Sequence, residues 1–244
     1  MIHQIDWHPA PGMRALFTTR RDGSSRGPWS SFNLSYRAGD DPAAVRRNRA
    51  LLRRELPSAP CWLSQVHGNR VIGLESWYRG IAADGAWTDQ PGQVAVVLCA
   101  DCLPVLLADR KGSVVAAVHA GWRGLAAGVL EQAVAALPVS AGELSAWIGP
   151  GIGQDSFEVG AEVIEALDAG GSIPSGAARG NQRGRFQLDL RATARARLAS
   201  AGVDDIADAG QCTHTDEDRF FSHRRDGTTG RMAALIWIDE GRNE

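Results

Sequence analysis

Apolar residues gather into short unbroken runs at the centre of this chain and into spaced patterns towards its ends. Val94-Ala95-Val96-Val97-Leu98, Pro104-Val105-Leu106-Leu107-Ala108 and Val114-Val115-Ala116-Ala117-Val118 are separated by short polar turns, and each reads as a strand. Strands apolar on both faces need a packed layer on either side. Asp109-Arg110-Lys111-Gly112 makes the second connection a hairpin. Further strands are expected over 14–18, 71–74, 144–148 and 186–190, with a closing strand over 232–238. Helical spacing covers 42–54, where Asp41 can cap the first turn, and also 159–167 and 192–199. Gly124 opens a small-residue helix over 125–137, which Pro138 stops. The Gly-, Ser- and Arg-rich stretch 170–184 reads as a mobile surface loop. That loop interrupts the pattern without separating two self-sufficient cores. The expectation is one domain over 1–244, a mixed α/β (α+β) β-sandwich with outer helices.

Composition narrows the partners. Of 244 residues 44% are hydrophobic and 22% charged, which allows a sizeable core in an ordinary globular protein. A net charge of −2 gives no electrostatic reason to expect nucleic acid or an anionic membrane as partner. The arginines of 46–49 and 191–197 have the spacing of solvated helix faces. The apolar runs are far shorter than a membrane span, and the first residues lack the basic-then-apolar order of a secretory signal. Cys61, Cys99, Cys102 and Cys212 are scattered unevenly, as reduced thiols of a cytoplasmic protein would be.

Three segments carry the candidate chemistry: Ser64-Gln65-Val66-His67-Gly68, Leu98-Cys99-Ala100-Asp101-Cys102 and Val118-His119-Ala120-Gly121-Trp122-Arg123-Gly124. Each ends an apolar stretch, read as a strand, on a metal-capable or nucleophilic side chain. Two imidazoles and one thiolate suit Zn²⁺ and leave a fourth position open, as in a catalytic site. The same set also suits Cu²⁺. Taken singly each residue has a plainer reading, since a histidine at a strand end commonly bonds a backbone carbonyl. Cys99 and Cys102 have the spacing of a redox pair or half a zinc knuckle, but no second such pair exists. Cys99 continues an apolar strand, whereas Cys102 sits where the run breaks before Pro104 and is the accessible thiol, reactive only as thiolate. The Gly121–Gly124 turn leads into a helix and offers an anion site to which Arg123 adds a charged fork. Phe220 to Asp226 supplies aromatics and arginines, Arg224 among them, either for substrate or as an anchored loop. Asp84 reads equally as a partner acid to Asp89 or as a turn residue before Gly85. His214 lacks ligand spacing to a second pair and reads as structural.

Gln65-Val66-His67-Gly68, Ala100-Asp101-Cys102 and His119 to Gly124 resemble the three blocks of the laccase-domain (YfiH-like) family. Thr18-Thr19-Arg20, Ser31-Phe32-Asn33-Leu34, Trp147-Ile148-Gly149-Pro150, Phe220 to Arg225 and Thr229-Gly230-Arg231-Met232 extend the likeness over nearly the whole chain. The resemblance implies a four-layer α/β/β/α fold, and His67, Cys102 and His119 as catalytic metal ligands. It also implies phosphorolysis of purine nucleosides (adenosine, inosine, methylthioadenosine), with adenosine deaminase activity at the same zinc. Purine nucleosides and phosphate are then the partners, with Arg123 and Arg224 as candidate substrate contacts. Other readings remain. Copper oxidation of phenols needs a mononuclear copper plus a trinuclear cluster, which six histidines, two within the first eight residues, cannot supply. A cysteine amide hydrolase would use Cys102 as nucleophile and His119 as base, and family members have been linked to cell-wall precursor editing. A metal-binding interaction module would need a closed site, and no fourth ligand of comparable quality is present.

Overall fold

Two sheets lie face to face in the computed structural model, which describes residues 2–171 and 173–239. One is antiparallel, in the order Ile2–Gln4, Met13–Thr18, Met232–Ile238, Ala95–Cys99. The other runs Asp205–Asp208, Leu144–Ile148, Leu103–Asp109, Val115–Ala120, Gly85–Thr88, Val71–Gly73. It is antiparallel at its centre and parallel in its two outermost pairings.

Side chains alternate between faces along a strand, so each central strand feeds two cores. Leu106, Ala108, Val115 and Ala117 meet Phe17, Val97, Met232 and Ile236 of the opposing sheet. Leu103, Val105, Leu107 and Val118 point the other way, onto Leu125, Val129, Leu130 and Leu198 of the covering helices. On the far side of the first sheet, Val96, Leu235 and Trp237 pack against Phe32, Leu34 and Leu52. Leu52 belongs to the Pro42–Arg53 helix, which therefore forms the fourth layer. The α/β/β/α expectation holds, and the doubly apolar strands are its cause. No described helix is long and apolar enough to cross a membrane.

Local signals held where they were self-contained. Asp41 accepts from the Ala43 N–H at 2.9 Å and starts the first helix. Asp109 closes the hairpin by accepting from the N–H groups of Lys111, Ser113 and Val114, with Gly112 at φ +73. Elsewhere tertiary context intervened. The single helix expected over 125–137 is two, Trp122–Ala126 and Val129–Ala136, because Gly128 adopts φ +78 between them. The helix expected from 159 begins at Ala161, after a short strand at Glu158–Val159. The stretch read as a mobile loop contains the strand Ala178–Gly180, paired with Phe186–Leu188, which pairs in turn with Glu158–Val159.

Cys99 is 1% exposed and lies in the core between the sheets. Cys99→Ser should cost about 1–3 kcal/mol by burying a hydroxyl among apolar neighbours. Denaturant unfolding reads the loss, and activity per folded molecule should be largely kept.

Candidate metal centre

The Leu103–Asp109 and Val115–Ala120 strands are neighbours, with Leu103 opposite Ala120 and Pro104 opposite His119. That register brings Cys102, one residue before its strand, to the same end of the sheet as His119. His67 arrives differently. No regular strand precedes it, only isolated bridges of Cys61 to Ala95 and Ser64 to Ala82, and its backbone is left-handed at φ +60. The strand-end setting expected for His67 is therefore replaced by a turn, which side chains must hold in place. Gln65 does part of this: its amide donates to the Leu98 carbonyl at 2.8 Å and accepts from the Leu98 N–H at 2.7 Å, like one rung of a ladder.

Asp84 does the rest. Its fully buried carboxylate accepts from the N–H groups of Val66, His67 and Gly68 at 3.1, 2.9 and 2.8 Å. It also meets His119 Nδ1 at 2.9 Å. One carboxylate therefore fixes the backbone that carries one histidine and the ring of the other. With Nδ1 given to Asp84, His119 has Nε2 left for the centre. Burial opposes the charge on Asp84. The His119 ring and the Gly68 and Val66 N–H groups outweigh it and hold the carboxyl below its ordinary range.

Ligand-capable atoms of His67, Cys102 and His119 lie within 4.8 Å of one another. The two imidazoles meet edge-on, 4.8 Å apart at 80°. His119 is buried, Cys102 half-buried and His67 exposed, so the group opens to solvent on one side. Removal from water raises the Cys102 thiol, but the adjacent His119 and His67 rings draw it well below its ordinary value. Burial lowers His119, while the Cys102 thiolate and Asp84 raise it further, so the pair favours thiolate and imidazolium. Burial, reinforced by the neighbouring Cys102 and Asp101 charges, pushes Cys99 far up, leaving it an inert packing thiol.

These residues fit a metal ion. Their donor set is two imidazoles and a thiolate, the Asp84–His119 contact aims one ring, and Gly121 leaves the space clear. A Cβ at Gly121 would stand 2.8 Å from Cys102 Sγ and 3.3 Å from His67 Cδ2. Gly121→Ala should thus lower bound metal per folded chain and cost about 1–3 kcal/mol through overpacking. Metal analysis beside thermal unfolding checks both.

The turn before Cys102 is tied down by Asp101, left-handed at φ +94. Its carboxylate accepts from the Thr213 hydroxyl at 2.6 Å and the Arg224 N–H at 2.7 Å, and its carbonyl accepts from Ile152 N–H at 2.9 Å. All three candidate ligands open onto a cleft of about 650 Å³, of the size that takes a small molecule. Arg37, Arg123, Arg224 and Arg231 also line it. Arg123 lies inside a five-residue helix rather than ahead of one, exposed and stacked 4.3 Å over the Trp122 ring. Arg224 is exposed too, donating to the Glu158 carbonyl at 2.8 Å beside Phe157. Sequence reasoning did not assign Asp84, Arg37 and Arg231 to this site, and it took Gly121 for part of an anion turn rather than for the space beside the ligands. The local readings of Asp84, a partner to Asp89 or a turn residue, gave no hint of this role, because its partners are up to 35 residues away.

Comparison with known proteins agrees with this architecture. The profile of the family described as multi-copper polyphenol oxidoreductase laccase matches residues 14–239. A protein of Pseudomonas aeruginosa named purine nucleoside phosphorylase is 46% identical over 96% of this chain and 97% of its own length. Purine nucleoside phosphorylase YfiH of Escherichia coli (strain K12) is 45% identical over 95% and 96%. Among solved structures, a Neisseria meningitidis protein superposes with TM-score 0.92 at 43% identity, covering 98% of this chain and 99% of that one. YlmD from Geobacillus stearothermophilus gives 0.89 at 32% identity, covering 96% and 94%. Sequence blocks, fold and relatives coincide over nearly the whole chain, which belongs to the laccase-like YfiH family.

Proposed function

We propose that this protein is a zinc-dependent purine nucleoside phosphorylase, acting on adenosine, inosine and methylthioadenosine, with adenosine deamination as a second activity of the same centre. The observation that carries this reading is an open three-donor centre at the wall of an arginine-lined cleft. The names of the Pseudomonas and Escherichia relatives support the substrate class. His67, Cys102 and His119 would hold Zn²⁺, which when bound supplies a fixed Lewis-acid charge.

In phosphorolysis a phosphate oxygen bonds to ribose C1′ while the C1′–N9 bond breaks and the purine departs, taking up a proton. The cleft arginines attract and orient the anion, with Arg123 and Arg224 on its exposed rim. Asp84 keeps both histidines in register, so the centre needs little rearrangement during reaction. The apolar walls, including Leu63 and Ile152, limit water as a competing acceptor. Copper chemistry of the multi-centre kind finds one cluster of metal-capable side chains among the described residues, not several. Amide hydrolysis has one specific observation in its favour, the Cys102–His119 pair poised as thiolate and imidazolium.

The deciding experiment incubates zinc-loaded and zinc-stripped protein with adenosine, with and without phosphate, and separates adenine, inosine and hypoxanthine. Phosphate-dependent adenine formed only by the zinc-loaded protein is the expected result. Inosine formed without phosphate reports deamination. Neither product from zinc-loaded, folded protein overturns the reading and moves the weight to amide hydrolysis.

A further inference from the structure

Arg231 is the half-buried arginine of the cleft, and it is tied at both its backbone and its guanidinium. Its N–H donates to the Asn33 side-chain oxygen at 2.9 Å, and its carbonyl accepts from Leu34 N–H at 3.2 Å. Its Nη1 donates to the carbonyls of Thr229 and Gly230, both at 2.9 Å. Asn33 is itself buried and donates to Asp40 at 2.9 Å. The glycine before Arg231 is required by space, since a Cβ there would lie 2.6 Å from the Phe221 ring and 2.9 Å from Asn33 Cβ. Two blocks far apart in sequence, Ser31 to Leu34 and Thr229 to Met232, thus converge on the placement of one guanidinium.

Among the described residues no carboxylate is dedicated to that guanidinium. It is half-buried, lines the cleft together with Cys102, and makes no carboxylate ion pair among the described residues. Cys102 and Asp101 are the acidic groups whose charge reaches it most strongly. Asp101 has its oxygens committed to Thr213 and Arg224, and the Cys102 thiolate is a metal ligand when the centre is filled. Withdrawal from water weakens the hold of Arg231 on its charge, a cost that a bound oxyanion would offset. The remaining cleft arginines are exposed. Arg37 donates to the Ser64 hydroxyl at 2.9 Å, and Arg123 and Arg224 lie over Trp122 and Phe157.

We infer that Arg231 is the inner seat of the phosphate substrate: Nη1 is anchored to two carbonyls, and the rest of the planar fork is left for two phosphate oxygens. Because the side chain is ordered beforehand, it can bind the anion without the loss of freedom that Arg123 would incur. The inference rests on the phosphorolysis reading, but its test separates the two.

Zinc-loaded wild type, Arg231→Gln and Arg231→Lys are titrated calorimetrically with inorganic phosphate. The phosphate and adenosine KM values and the zinc content are measured alongside. Arg231→Gln should weaken phosphate binding about 10- to 100-fold, with adenosine KM and zinc content nearly unchanged. Arg231→Lys, which keeps the charge without the fork, should lose less, and it carries the test should the glutamine variant not fold. Unchanged phosphate affinity in a folded variant overturns the seat, as does a fall in zinc content that accounts for the loss. Absence of phosphate binding by wild type also overturns it. Adenine production with an unchanged phosphate KM in Arg231→Gln removes the seat and leaves phosphorolysis standing. Arg231-dependent phosphate binding without any adenine does the reverse.

Discussion

Cys102→Ser should reduce turnover to background and strip the centre of metal while the fold survives. Cys102 lies at the strand end, half-buried, with both imidazoles beside it. A hydroxyl is a poor soft ligand and does not ionise near neutral pH, so one of three donors is lost outright. The effect should exceed the roughly 10- to 100-fold typical of removing an outer partner of a metal ligand. Metal content, turnover and circular dichroism of the same preparation check it. The free thiol offers a second readout in metal-free protein. Burial raises Cys102, but His119 and His67 bring it below its ordinary value. Its alkylation rate should therefore rise with pH through a midpoint lower than that of an ordinary thiol, about 8.5. Cys99, driven the other way by burial, should stay unreactive in the same samples. If Cys102→Ser kept its metal and Cys99→Ser lost it, the centre would have been assigned to the wrong sulfur.

Asp84→Asn should be the next most damaging change, although this residue is not one of the three clustered candidate ligands. The carboxylate accepts four hydrogen-bond donors, three from the backbone around His67 and one from His119. An amide of the same size keeps one oxygen but points an N–H₂ group at some of those donors, and it no longer fixes the His119 tautomer. Metal affinity should fall about 10- to 100-fold. Competition with a chromogenic chelator measures this, and the visible spectrum of the cobalt-substituted protein reports the ligand geometry directly. A thermal unfolding curve run without metal separates the loss of positioning from a loss of fold. An unchanged metal affinity together with an unchanged cobalt spectrum would reduce Asp84 to a structural turn residue, the plainer of the readings its sequence context offers.

The difference between His67 and His119 shows where sequence reasoning ends. Val115 to His119 is a continuous apolar run, and burial on both faces forces it into the middle of a sheet wherever the chain folds. A histidine ending such a strand is legible, and so is the Cys102 break before the neighbouring strand. His67 has no comparable element to stand on. Its φ of +60 is stabilised by an aspartate 17 residues later and a glutamine docked on another sheet. The resemblance to known blocks picked it out, but its geometry could not have been read from its neighbours in the chain.

The sequence by itself determined the layers, because doubly apolar strands and an amphipathic capped helix have few ways to hide their faces from water. It also determined which side chains are chemically able to form the centre, since two imidazoles and a thiolate are rare and specific donors. Only closure of the chain decided that Asp84 serves both histidines, that Gly121 leaves the space beside Cys102 and His67 clear, and that Asn33 and Gly230 place Arg231. It also turned the supposed loop over 170–184 partly into a strand and broke one helix at Gly128. The physical reason is common to all of these. Periodicity and donor chemistry are properties of a residue and its near neighbours. Hydrogen bonds between positions 35 or 198 residues apart exist only after the chain has closed on itself.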